Sequence, residues 1–220
     1  MKKIKQILLL ICLLVSANST IGLEGTVEYN SVNIDYEILD AAHYRHLGDA
    51  FLTRAERKTS TEAERRFFYG EALGSYITAT EINPDLIDIY GRIGYIYGKL
   101  KKYGLAKAYL NKGLNMDEKN PTVNFYYGGL TYDMQNYNEA LKYYKKSQKN
   151  NYKDQYSVLY RIGETNEKLG DLVKAIDAYK KALRLKPDNK ELKLKIKSLE
   201  DIKYDKSQYY IRKKLFYYND

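Results

Sequence analysis

The sequence predicts an all-α protein built from repeated helix pairs, and three observations carry that prediction. Apolar residues recur at three- and four-residue steps, as in Leu172, Val173, Ile176, Tyr179 and Leu183. That spacing lines one face of a helix with about 3.6 residues per turn. Whole columns of residues also recur. Gly94, Gly128 and Gly163 are 34 and 35 residues apart; Ala72, Ala106, Ala140 and Ala175 keep the same step. So do Tyr76, Leu110, Tyr144 and Tyr179, and the small residues Ala79, Gly113, Ser147 and Ala182. Finally, only three prolines interrupt 220 residues, of which 30% are charged.

Four columns in register at a step near 34 residues resemble the tetratricopeptide repeat (TPR), a helix-turn-helix array of that period. The resemblance covers roughly residues 41–187. It implies a right-handed α-solenoid of about four TPR helix pairs plus a C-terminal capping helix. It also implies a binding scaffold, without naming what is bound.

Residues 1–19 read MKKIKQILLLICLLVSANS: a basic start, an apolar run from Ile7 to Val15, then small polar residues. This is the layout of a secretory signal peptide, and the run is shorter than the ~20 residues a membrane-spanning helix needs. Cleavage after Ala17 or Ser19 fits the small-residue rule. The exported product would be periplasmic or secreted. Residues 20–33 show no helical period and predict a flexible segment. The solenoid with its cap is expected over 34–202, its first helix starting near Asp35.

Tyr44, Leu47, Gly48 and Phe51 match the first helix of repeat one. Gly48 and Ala72 stand 24 residues apart, against 12 in later repeats, so roughly residues 53–66 hold an insertion of 12. Thr61 and Glu64 have capping-box spacing, which starts a lengthened second helix at Thr61. The inserted turns either overhang the array or form a side wall that shapes a groove or a dimer contact. Repeat two runs from about Ile87 to Asn120, repeat three from Pro121 to Gln155 and repeat four from Tyr156 to Asn189. Leu192, Ile196 and Leu199 then predict a polar-faced capping helix. The basic, aromatic tail 203–220 either forms a last helix packed back on the array or stays exposed, as at a membrane or polymer surface.

Composition narrows the function. The formal charge is +9, unevenly placed: residues 20–140 hold 13 basic and 17 acidic residues, and residues 141–220 hold 21 and 11. A solvated lysine-rich surface accounts for this, as does a basic end that meets an anionic polymer or membrane surface. The single cysteine, Cys12, lies in the leader, so the exported product would have no disulfide or thiolate chemistry. His43 and His46, three apart on the first helix, could be drawn as a metal site with Asp40 or Asp49. No cysteine or third histidine supports one, and an exposed histidine pair is the plainer reading. No nucleophile triad, phosphate loop or dinucleotide fingerprint appears. The reading is of a chain that is not an enzyme and uses no cofactor or metal.

The resemblance implies a concave groove lined by the first helix of each pair. Counted from the repeated glycines, its lining includes Arg92, Tyr95, Phe125, Tyr126, Tyr132, Tyr160 and Arg161. Tyrosine and arginine dominate binding hot spots and suit a peptide or protein segment. The carboxylate clamp of some TPR domains is not carried over: Asp49 stands where that clamp needs a neutral amide and would repel a carboxylate. The expected function is a protein-interaction adaptor of the envelope or exterior. The alternative is an anionic-polymer binder using the basic C-terminal half. Exposed solenoid ends also leave room for a homo-oligomer.

Overall fold

The computed structural model describes residues 40–217. The leader over 1–19, the segment 20–33 and the start at Asp35 lie outside those residues. The described residues form nine helices and no strand: α1 (Ala41–Ala55), α2 (Glu62–Ile82), α3 (Ile87–Lys99), α4 (Tyr103–Met116), α5 (Pro121–Asp133), α6 (Tyr137–Lys149), α7 (Gln155–Lys168), α8 (Leu172–Leu185) and α9 (Lys190–Tyr217). They pack in sequence as pairs α1/α2, α3/α4, α5/α6 and α7/α8, with α9 against α8. No described helix is long and apolar enough to cross a membrane.

The repeated columns are the crossing points of the pairs. A Cβ on Gly48 would lie 2.5 Å from the ring of Tyr76, on Gly94 2.5 Å from Leu110, on Gly128 2.7 Å from Tyr144 and on Gly163 2.5 Å from Tyr179. Glycine is thus needed where the large residue of the second helix crosses the first. The alanines at 72, 106, 140 and 175 are fully buried beside those crossings. Ser147 takes a small-residue place by donating its hydroxyl to the Pro121 carbonyl at 2.8 Å.

Local chemistry sets the helix ends. Asp40 caps α1 by accepting from the His43 amide at 2.8 Å. The capping box at Thr61 and Glu64 forms as its spacing predicts and opens a 21-residue α2. Asn120 caps α5, with Pro121 in its first turn. The turns inside pairs two, three and four each place one residue at positive φ: Lys101, Gln135 and Gly170.

At the far end, Leu192, Ile196 and Leu199 of α9 are buried in a cluster with Ala175, Tyr179 and Ala182 of α8. Helix α9 does not stop near residue 202. It runs 28 residues to Tyr217 because nothing from Lys190 onward is proline or glycine. That continuity leaves no turn at which the tail could fold back, and residues 201–207 are exposed.

Candidate functional site

A groove forms where α3, α5 and α7 lie side by side, and its character is set by one register. Arg92, Tyr126 and Arg161 each precede their helix's crossing glycine by two residues. Each faces the residue that follows the crossing glycine of the preceding repeat: Asp49, Tyr95 and Gly129 in turn. The three pairings have different outcomes.

In the first, Arg92 donates to Asp49, and its guanidinium also lies 3.7 Å from Asp88 on its own helix. Arg45 donates to Asp88 at 2.8 Å, and Tyr76 donates to Asp49 at 2.6 Å. The Arg92 side chain is only 12% exposed. Burial works against its charge, but Tyr76 and Asp49 outweigh burial and raise its pKa above the usual arginine range. Arg92 therefore acts as a strut between repeats one and two.

In the second, Tyr95 and Tyr126 pack with ring centroids 5.0 Å apart. Gly91 makes this approach possible, since a Cβ there would come within 3.2 Å of the Val123 backbone. Tyr95 donates to Glu56 at 2.9 Å, and Tyr69 donates to the same oxygen at 2.5 Å. Glu56 comes from the inserted turns, so the insertion reaches Tyr95 of the groove lining through this carboxylate. Phe125 stacks on Tyr152 at 4.5 Å and meets Tyr126 edge-on at 5.5 Å. Burial raises the pKa of the Tyr126 hydroxyl, with Arg92 opposing, so it is neutral in ordinary buffers.

In the third, Gly129 offers no side chain. Arg161 has no carboxylate across the register and turns to Glu164 on its own helix at 2.8 Å, with its side chain 44% exposed. The open register leaves a narrow cleft lined by Gly94, Tyr95, Gly98, Lys99, Phe125, Tyr126, Gly129, Leu130, Tyr132, Asp133, Tyr144 and Arg161. Its free volume of about 40 Å³ admits water or the tip of one side chain. Lys99 and Asp133 stand 3.7 Å apart in its lining.

The structure thus gathers Tyr95, Phe125, Tyr126, Tyr132 and Arg161 around one cleft. It does not bring in Arg92, which Asp49 holds, or Tyr160. Tyr160 packs against Tyr156 and Tyr179 at 6.1 and 5.5 Å, in the cluster that α9 covers. Sequence reasoning left out Tyr152 and Glu56 from this surface. Tyr152 lies in the irregular link after α6, and Glu56 lies in the insertion, so neither has a register to read. Among the described residues, no three His, Cys, Asp or Glu side chains are grouped to hold a metal ion.

Residues 87–120 and 156–189 each match the family description "Tetratricopeptide repeat". The chain carries tetratricopeptide repeats. These matched segments are α3/α4 and α7/α8 with their links, the second and fourth pairs. A TPR repeat-containing protein of Methanocaldococcus jannaschii is 31% identical over 134 residues, 61% of this chain. The chain spans 23% of that relative's length. Among solved structures, Pseudomonas aeruginosa pilF aligns with a TM-score of 0.63 at 21% identity, over 75% of this chain and 69% of its own. MamA aligns at 0.53 and 17% identity, over 66% and 85%. YrrB, described as a TPR protein with an unusual peptide-binding site, aligns at 0.50 and 21% identity, over 72% and 74%. These likenesses are of fold: an all-α TPR solenoid. TPR folds of this kind are typically protein-interaction scaffolds.

Proposed function

We propose that this chain is a non-catalytic adaptor that holds an extended peptide or protein segment in the groove between α3, α5 and α7. The observation that carries the reading is the open register at Gly129. It leaves Arg161 exposed beside the aromatic surface of Phe125, Tyr126 and Tyr132. Aromatic faces take apolar side chains, and the guanidinium forms charge-assisted hydrogen bonds to carbonyl or carboxylate oxygens. The cleft is too small for a drug-sized ligand, which occupies at least about 300 Å³. A strand of polypeptide that lays one side chain at a time into it meets no such limit. We place this adaptor in the periplasm or outside the cell, a reading that rests on the basic and apolar layout of residues 1–19.

A photo-crosslinking amino acid at residue 126, introduced in cells, tests the site. One discrete protein attached there, absent with the crosslinker at the exposed residue 107 and lost in Gly129→Asp, supports the reading. Equal attachment at both residues refutes it. A second reading, binding of an anionic polymer, draws on the cleft lined by Lys180, Arg184 and Lys193 with Asp177, Leu183 and Pro187. Binding of that kind would weaken steeply with salt.

A further inference from the structure

Each of the first three pairs closes its α-α seam with two aromatic rings. Phe51 stacks on Phe68 in α1/α2 at 6.4 Å, Tyr97 on Tyr109 in α3/α4 at 5.5 Å, and Tyr127 on Tyr143 in α5/α6 at 4.2 Å. The fourth pair has no such stack: its rings, Tyr160 and Tyr179, meet at 5.5 Å in the cluster that α9 covers, and the registers of the two tyrosine stacks hold no ring. Asn166 stands at the register of Tyr97, Ile162 one residue before its crossing glycine at the register of Tyr127, and Ala178 at the register of Tyr109 and Tyr143. A cleft of about 210 Å³ lies there, with Leu159, Ile162, Asn166 and Ala178 in its lining. It shares no lining residue with the groove at Gly129. An apolar cavity of about 150 Å³ already admits benzene.

The rim has a sign. Lys145, Lys174 and Lys181 line the cleft, with Gln148 and one acid, Asp177. Asp177 pairs with Lys181 at 2.7 Å and Asp171 with Lys174 at 2.6 Å, while Lys145 makes no ion pair among the described residues. Lys174 replaces the acid of the preceding repeat, since Glu139 occupies its register beside Tyr143. The missing ring and the reversed charge occur at the same seam. Asn166 is already satisfied, donating to the Ile162 carbonyl at 2.8 Å, so what the seam lacks is an apolar ring.

We propose that the α6/α7/α8 seam is a second binding site, which takes one aromatic side chain carried on an acidic peptide. The ring fills the place of the absent tyrosine pair, and the flanking carboxylates meet Lys145, Lys174 and Lys181. This site is independent of the groove.

Fluorescence anisotropy on the full chain tests it, with a labelled peptide of alternating aspartate and glutamate around one central tyrosine. Saturable binding is expected, weakened about tenfold or more when the peptide tyrosine becomes alanine. Ala178→Tyr, which restores the residue of pairs two and three, should weaken binding about as much, with the melting temperature kept or raised. Lys174→Glu reverses one exposed charge of the rim, at the loss of its pair with Asp171, and should also weaken binding. Gly129→Asp should leave it unchanged. Absence of saturable binding overturns the proposal. So does equal binding of the alanine peptide, indifference to both Ala178→Tyr and Lys174→Glu, or loss in Gly129→Asp.

Discussion

Arg92 and Arg161 occupy the same register two repeats apart, yet one is a strut and the other is open. The difference lies in the residue across from each. Asp49 gives the largely buried Arg92 an ionic partner; Gly129 gives Arg161 none. A solenoid presents the same backbone positions again and again, and the residue opposite decides which become framework and which become surface. The N-terminal end of the groove is closed by ion pairs, and its middle is left to aromatic faces. This explains why the cleft forms over α3 and α5, with Arg161 of α7 at its edge, and not between α1 and α3.

Breaking that comparison begins with the arginines. Arg92→Ala leaves Asp49, about a third exposed, without its partner across the register and should destabilise the fold by about 2 kcal/mol in urea unfolding. Arg161→Ala should cost about 0.5 kcal/mol or less, because an exposed pair within one helix contributes little. Equal costs would mean that the register opposite is not what separates the two.

The adjacent glycines sharpen it. A Cβ on Gly128 would press to 2.7 Å from the buried Tyr144 ring, whereas one on Gly129 meets only the Tyr144 hydroxyl at 3.7 Å. Gly128→Ala should therefore cost about 2 kcal/mol through forced repacking. Gly129→Ala should be neutral or stabilise by up to about 1 kcal/mol through helix propensity. Were Gly129→Ala as damaging as Gly128→Ala, the openness of that register would be structural and not a site.

The smallest expected effect is at high pH. Burial, then hydrogen bonding to Glu56 and Asp49, raises the Tyr69 and Tyr76 hydroxyl pKa values far above the ordinary range, and burial with Tyr143 and Glu139 pushes Tyr127 up to about 12. A raised folded pKa favours the protonated form. The stability it contributes is complete below the unfolded tyrosine value of about 10 and is lost as pH rises beyond it. Helical signal should hold to about pH 10 and then fall together with the rise of tyrosinate absorbance. Tyrosinate appearing without loss of helix would place the titrating hydroxyls outside the core.

The sequence by itself determined the period, the helix pairs, the crossing residues and the capping box at Thr61. Each depends on spacing within one chain segment, because a helix fixes which residues share a face and a crossing admits only a small residue. The positive-φ turns were legible only at Gly170, since Lys101 and Gln135 hold the same conformation without glycine. The tertiary structure alone decided what each face met: that Arg92 closes on Asp49, that Tyr160 joins the cluster under α9, that Glu56 reaches two tyrosines. Pairing across repeats depends on which side chain stands opposite at contact distance, and hydrophobic periodicity carries no information about a partner from another helix. The same reason separates the filled seams from the empty one. Asn166 and Ala178 each look ordinary in their own helices, and only the packing of α7 on α8 sets both losses against a single space.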